Sequence, residues 1–206
     1  MRNKLILFCG MMCLALTLSA QTQGKEAIRA KINKAAQEMR TMQCDFTQTK
    51  YSKMLNDQMV SKGRMCYKQK NMLRWEYVSP YTYTFILNDT QVLLKNEHRN
   101  DIIDTKQNKM FKEIARIMMN SVIGKCLDDK EYKVELVPEA GEWVARLTPL
   151  KKNMKQMFQK IILHFDMKKA LVTKVELQEK KGDRTVIVLK NVRTNHEIDN
   201  KMFSVR

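Results

Sequence analysis

The stretch between Phe46 and Asp89 contains short runs in which apolar and charged side chains alternate with a period of two residues. Because successive side chains of a β-strand point to opposite faces of a sheet, this period predicts strands with one apolar and one charged face. Such a sheet has to cover its apolar face, so what lies against that face decides the function. The apolar positions are Met65, Tyr67, Leu73, Trp75 and Tyr77, and the charged positions between them are Arg64, Lys68, Arg74 and Glu76.

The same alternation recurs along the chain, with turn residues such as Asn88-Asp89 between the runs. An antiparallel sheet of this size curls under its own twist. We therefore expect an α+β fold, mainly antiparallel β: an incomplete, open β-barrel of about 11 strands with a helical lid over a hydrophobic cavity. The strands are expected at about 43–52, 60–69, 71–78, 82–88, 91–96, 99–104, 131–137, 142–149, 157–166, 171–179 and 184–192.

Two segments change to the helical spacing of three and four residues. Residues 26–42 predict an amphipathic helix that lies on a surface, and residues 110–122 predict a second helix that stops at Gly124. Two helices are too few to cover the apolar face tightly, although they are placed to act as a lid. The apolar face of the second helix includes Met110, Phe111, Ile114, Ile117 and Met118.

The first residues have the composition of an export signal. Arg2 and Lys4 precede an apolar run that ends in Leu18-Ser19-Ala20. This order is typical of a secretory signal peptide, which we expect to occupy residues 1–20 and to be cleaved after Ala20. Residues 21–206 are then expected to form a single domain outside the cytoplasm.

The net charge limits the classes of partner, and the cysteine content limits the possible disulfides. The formal net charge of +16 is spread over the chain. Export argues against nucleic acid as the partner, which leaves an anionic membrane surface, an acidic protein or a merely solvated basic surface. After the signal peptide, Cys44, Cys66 and Cys126 are too few for a disulfide scaffold. Cys44 and Cys66 fall on neighbouring strands, where either a cross-strand bridge or two free thiols is compatible with the pattern.

The spacing of the polar residues argues against catalysis. His98, His164 and His196 are scattered, and none has a partner at the spacing of a metal site or a catalytic triad. The chain also has neither a glycine-rich phosphate loop nor a Gly-x-Ser-x-Gly elbow. We therefore expect a protein that is not an enzyme and that uses no metal and no cofactor.

Short motifs in a shared order resemble the LolA family of periplasmic outer-membrane lipoprotein carriers. Phe46-Thr47-Gln48, Gly63, Leu73-Arg74-Trp75-Glu76-Tyr77, Pro80 and 85–89 are similar to the family's first strands, and Gly182-Asp183-Arg184-Thr185, Asn191-Val192, Asn195, Ile198-Asp199 and Phe203 to its closing segment. The resemblance implies a cavity that binds acyl chains, with residues 110–122 at the position of the lid. The implied and inferred cavity wall comprises Phe46, Met65, Tyr67, Leu73, Trp75, Tyr77, Phe85 and Leu93.

The resemblance also implies a function and its partners. It implies a monomer in the periplasm of a Gram-negative bacterium that carries acylated lipoproteins from an inner-membrane ABC transporter to an outer-membrane acceptor, with transient membrane contact. Three alternatives on the same fold stay open: a sensor of lipid or lipoprotein, the outer-membrane acceptor itself, and a carrier of another lipid. One departure concerns the lid, because Gln69-Lys70 stand where many members have Arg-Pro. Gln69 is expected at the lid contact without a charge-assisted hydrogen bond.

Overall fold

The computed structural model describes residues 24–128 and 130–205, with all their side chains except those of 109–115, 126 and 128. Eleven strands form one antiparallel sheet. Helix α1 covers 24–38. The other elements are β1 (Thr41–Ser52), β2 (Asp57–Lys68), β3 (Met72–Ser79), β4 (Tyr83–Asn88), β5 (Gln91–Asn96), β6 (Asn100–Asp104), α2 (Lys109–Ile123), β7 (Tyr132–Glu139), β8 (Glu142–Pro149), α3 (Lys152–Met157), β9 (Phe158–Asp166), β10 (Val172–Glu179) and β11 (Arg184–Thr194), with 3-10 turns at Lys125–Asp128 and Asn200–Phe203.

The order of the strands explains the position of α2. The sheet runs β6-β5-β4-β3-β2-β1-β11-β10-β9-β8-β7, so the first and last strands pair in its middle. Strands β6 and β7 follow each other in the chain but form the two opposite edges of the sheet. The connection between them has to cross from edge to edge, and α2 lies in that connection. This confirms the predicted open antiparallel sheet of eleven strands and places a helix across its opening.

The first helix is shorter than its apolar spacing predicts. Helix α1 ends at residue 38, whereas the spacing suggests residue 42. Met42 instead lies in β1, where it is buried together with Cys44 and Phe46. Because Met42 fits both the helical and the strand period, the pattern alone extends the helix too far. The short helix α3 gives no apolar repeat in the sequence and was not predicted; its Met154 is fully buried.

The two faces of the sheet have different cores. The inner face carries the large core, to which α1 contributes Ile32 and α2 contributes Ile117 and Val122. The outer face of β2–β5 carries a smaller core under the C-terminal segment, made of Cys66, Ile86, Ile198, Phe203 and Val205. Hydrogen bonds from the sheet hold that segment, among them one from Lys68 Nζ to the carbonyl of Ile198 (2.8 Å) and one from Asn88 Nδ2 to the carbonyl of Phe203 (3.1 Å).

Candidate ligand-binding site

An aromatic cluster forms the centre of the inner face. The rings of Phe46 and Trp75 stack with their centroids 4.2 Å apart, and Tyr77 meets Phe46 edge-on at 5.3 Å. The Tyr77 hydroxyl donates a hydrogen bond to Gln48 Oε1 (3.0 Å), which satisfies its polar end. Burial raises the pKa of Tyr77 above its ordinary value, so the phenol stays neutral. The cluster therefore offers a broad apolar surface without a charged group.

Gly63 makes room for this cluster. It lies opposite Phe46 in the β1–β2 register, and the pairing of β2 with β3 shifts between Lys62 and Gly63. A Cβ atom on Gly63 would lie 2.4 Å from Phe46 Cζ and 2.0 Å from the carbonyl oxygen of Glu76. The absence of a side chain therefore lets the ring of Phe46 lie flat against the sheet, which is how a glycine inside a strand is often used.

Seven of the eight residues proposed for the cavity wall lie on the inner face, Tyr77 among them and partly buried. The eighth, Leu93, was assigned wrongly. It packs on the outer face against the core under the C-terminal segment, and its neighbour Val92 is the buried inner residue of β5. The buried inner-face residues from the proposed set are Phe46, Met65, Tyr67, Leu73, Trp75 and Phe85.

Side chains fill the inner face in this structure. Met65 and Leu73 are completely buried, and Trp75 is 2% exposed. A cavity of about 510 Å³ opens instead beside α2, where the inner core reaches the surface through Leu87 and Met119. The other residues that line it are Asn71, Asp89, Thr90, Thr105, Lys106, Arg116 and Asn120. The aromatic cluster is therefore closed to solvent in this structure, with Ile117 and Val122 of α2 packed on the same core.

Ionic contacts hold α2 to the edge of the C-terminal strands. Arg116 of α2 pairs with Glu131, which precedes β7, and Lys151 after β8 pairs with the same carboxylate. Burial alone would raise the pKa of Glu131, but hydrogen bonds from Lys151 and Arg116 and their positive charges lower it below its ordinary value. Glu131 is therefore ionised at neutral pH and bridges the two cations. We call Arg116, Glu131 and Lys151 the latch.

Gln69 contacts the first helical segment rather than α2. Its Nε2 donates to the backbone carbonyl of Met39 (3.1 Å) and, at 3.4 Å, to that of Gln37 at the end of α1. The described contacts of Gln69 are therefore with the end of α1 and the residue that follows it, and not with the helix at 110–122 for which the contact was predicted. The latch could have been suspected from Arg116 on the polar side of the predicted lid helix, whereas its partner Glu131 gave no sequence signal.

The proposed lid residues all lie within α2. Ile117 is buried and Met118 is partly buried against the inner core. The side chains of Met110, Phe111 and Ile114 lie outside those that the structure describes. The next turn of the helix adds Val122 and Ile123 to the same core.

The two described cysteines cannot be bridged, because they lie on opposite faces of the sheet. Cys44 pairs in register with Met65 and belongs to the inner core, while Cys66 pairs with Gln43 and belongs to the outer core. Both are free and buried. Burial, together with the charge of Asp45 and the neighbouring Cys66, raises the pKa of Cys44 to about 12.

The Cys44 thiol is therefore expected to resist alkylation in the native protein. Only the thiolate reacts, and at pH 8 almost none forms at a buried thiol with this pKa. Iodoacetamide treatment followed by peptide mass spectrometry measures this, with the same protein in urea as the control. We expect native modification of Cys44 to be at least about 100-fold slower than in urea. Equal rates in the two conditions would show that the inner face is open to solvent.

The histidines make structural contacts. His164 lies on the outer face, where its Nδ1 is 2.9 Å from Glu142 Oε2 and its Nε2 is 3.3 Å from Glu176 Oε1. His196 Nε2 lies 3.1 Å from Gln43 Oε1. Within residues 24–128 and 130–205, no group of three histidine, cysteine or acidic side chains is placed to hold a metal ion. No helix among these residues has the length and apolar character needed to cross a membrane.

Known proteins share this architecture. The chain is 20% identical over 193 residues to the outer-membrane lipoprotein carrier protein of Methylococcus capsulatus. The aligned region covers 94% of this chain and 88% of that protein. A LolA superfamily protein from Nitrosomonas europaea superposes with a TM-score of 0.45 at 9% identity, over 87% of this chain and 97% of the other. MucB superposes with a TM-score of 0.52 at 13% identity, over 88% of this chain and 62% of MucB.

The MucB comparison supports the fold alone, since its sequence identity is low. The family model described as outer membrane lipoprotein carrier protein LolA matches residues 37–206, which include every strand of the sheet, α2 and the C-terminal segment over the outer core. The chain therefore belongs to the LolA family of outer-membrane lipoprotein carrier proteins.

Proposed function

We propose that this protein is a periplasmic carrier that binds the acyl chains of lipoproteins against its inner face and shuttles them from the inner to the outer membrane. The observation that supports the proposal most strongly is the placement of α2. It crosses between the two edges of the sheet and covers an inner face that is apolar from Phe46 through Val92. Such a face can exchange its contacts with the helix for contacts with hydrocarbon.

The energetics of the cargo explain why a carrier is required. An acyl chain of about 15 methylenes costs about 12 kcal/mol to expose to water, at roughly 0.8 kcal/mol for each methylene. A lipoprotein with several chains cannot cross the periplasm without cover. The inner face supplies methionine, leucine and aromatic side chains, whose contacts are non-directional and adapt to flexible chains. The same weak contacts permit release at the acceptor.

The proposed partners and location rest on the sequence and on the family. Residues 1–20 have the pattern of a secretory signal peptide, and the LolA family contains outer-membrane lipoprotein carriers. The carrier would receive lipoprotein from an inner-membrane ABC transporter and give it to an outer-membrane acceptor. It would act as a monomer without a cofactor and without catalysis.

Spheroplasts that contain radiolabelled lipoproteins provide the functional test. Purified mature protein is expected to release labelled lipoprotein into the supernatant as a soluble complex, because the inner face replaces the membrane as cover for the acyl chains. Buffer alone and an unrelated basic protein of similar size are the controls. If no lipoprotein leaves the spheroplasts, the carrier function is wrong. Mass spectrometry of co-purified lipid distinguishes a carrier of free lipid, which would hold lipid without attached protein.

Site-specific photo-crosslinking locates the bound chains. A benzoylphenylalanine at Tyr83, which packs partly buried on the inner core, is expected to crosslink to acylated lipoprotein. The same probe at Lys190, an exposed residue of β11, serves as the matched control. Crosslinks at Tyr83 that also form with a lipoprotein lacking its acyl chains would contradict binding through those chains.

A further inference from the structure

Exposed apolar side chains gather at one end of the sheet. Met54 and Leu55, at the turn between β1 and β2, are 88% and 69% exposed. Leu150, which precedes α3, and Met157, the last residue of α3, are 50% and 38% exposed. A surface methionine or leucine needs no explanation singly, but a group of them at one end indicates an interaction surface. Exposed apolar residues at this end include Met54, Leu55, Met59, Val60, Leu150 and Met157.

The turns that carry these residues are neighbours. The backbone N–H of Lys53 donates to Asp183 Oδ1 (3.0 Å), which joins the β1–β2 turn to the β10–β11 turn. The backbone N–H of Lys180 donates to the carbonyl of Met157 (2.9 Å), which joins the β10–β11 turn to the end of α3. The three turns therefore form one continuous surface, which we call the turn rim and which comprises residues 53–57, 150–157 and 180–184.

The turn rim is strongly basic. Its acidic residues are Asp57 and Asp183, and Asp183 is engaged with the backbone of Lys53. Its basic residues are Lys53, Lys151, Lys152, Lys155, Lys180, Lys181 and Arg184, of which Lys151 is paired with Glu131 in the latch. The buried Met154 anchors α3 and leaves Lys152 and Lys155 exposed on it. Exposed apolar side chains and lysines thus lie side by side on the turn rim.

We propose that the turn rim binds the surface of an anionic phospholipid bilayer, with Met54 and Leu55 inserted between headgroups and the surrounding lysines against lipid phosphates. Lysine side chains are attracted to an anionic surface. Exposed apolar side chains are stabilised when they leave water and enter the headgroup boundary of a bilayer. A bilayer fits these observations better than an acidic protein does. The most exposed apolar residues, Met54 and Leu55, stand at the tip of the β1–β2 hairpin and do not line the neighbouring cavity between Lys53 and Arg184, so they project outward as inserting residues would. The proposal is independent of lipoprotein binding at the inner face.

Vesicle sedimentation tests the proposal without any lipoprotein. The mature protein is mixed with vesicles of phosphatidylcholine alone or with phosphatidylglycerol added. Binding is expected only to the anionic vesicles, and it should weaken as salt is raised. The double variants M54S/L55S and K152E/K155E are each expected to bind at least about tenfold more weakly. All these positions are exposed, and circular dichroism and thermal unfolding verify that each variant is folded.

The opposite end of the sheet offers matched controls. Met167, Lys168 and Lys169 lie in the β9–β10 turn, are exposed, and repeat the same residue types. The variants M167S and K168E/K169E are expected to bind anionic vesicles like the wild type. The proposal is overturned if the wild type does not bind anionic vesicles. It is also overturned if the control variants lose as much vesicle binding as the rim variants, or if the rim variants bind as well as the wild type. Binding to an acidic protein without binding to vesicles would likewise overturn it.

Discussion

Replacing Gly63 with alanine is expected to lower the free energy of unfolding by about 3 kcal/mol or more. The new Cβ would lie 2.0 Å from the backbone carbonyl oxygen of Glu76. A backbone carbonyl in a paired strand cannot move aside by a rotation, as a flexible side chain can. Either β2 and β3 separate locally, or Phe46 leaves its stack with Trp75. Urea unfolding followed by tryptophan fluorescence measures the loss.

Gly24 supplies the control for this substitution. It lies at the start of α1 and has no heavy atom within 4 Å of the position a Cβ would take. Gly24→Ala should therefore leave stability unchanged or raise it by about 0.5–1 kcal/mol through helix propensity. A loss below about 1 kcal/mol for Gly63→Ala, relative to this control, would mean that the strands adjust easily and that the close approach is not required.

Much of the fold was predictable, because the alternation of apolar and polar residues along a strand indicates which side chains face the core. In β2 and β3 the residues Met65, Tyr67, Leu73, Trp75 and Tyr77 recur with a period of two, so they could be assigned to the inner face, and the structure places them there. Strand β5 shows where this method fails. Val92, Leu93 and Leu94 are consecutive apolar residues, and a continuous run carries no period that distinguishes one face from the other. Leu93 was consequently assigned to the wrong face.

A local sequence pattern could not predict the outer core or the filled interior. Phe203 and Val205 pack on strands that lie more than a hundred residues earlier in the chain, and nothing in the pattern of β2 or β4 indicates this cover. The filled interior depends on how α2 packs across the opening, which is a long-range property. Composition and periodicity predict an apolar inner face, but they leave open whether side chains or a ligand fill it.

Replacing Glu131 with glutamine is expected to speed the opening of α2 by roughly tenfold or more. The substitution leaves Arg116 and Lys151 near one another without the negative charge of the carboxylate that bridges them. Hydrogen exchange of the α2 amides measures the opening, and a fluorescent apolar probe such as N-phenylnaphthylamine measures access to the inner face. The control is Glu139→Gln, which removes an Arg–Glu pair at β7–β8 that is more exposed and lies away from α2. Equal exchange in the two variants would contradict the latch.

The pH dependence of opening separates the latch from a general loss of stability. Because the pKa of Glu131 in the folded protein lies below its ordinary value of 4.5, the latch is fully formed above about pH 4.5 and is lost as the pH falls through the folded pKa. The wild type should therefore open faster as the pH is lowered below that value, and it should approach the rate of the Glu131→Gln variant. The variant has no carboxylate to protonate at this position, so its rate should change much less over the same range. If the wild type and the variant instead accelerate in parallel, other carboxylates control the opening and Glu131 does not hold α2.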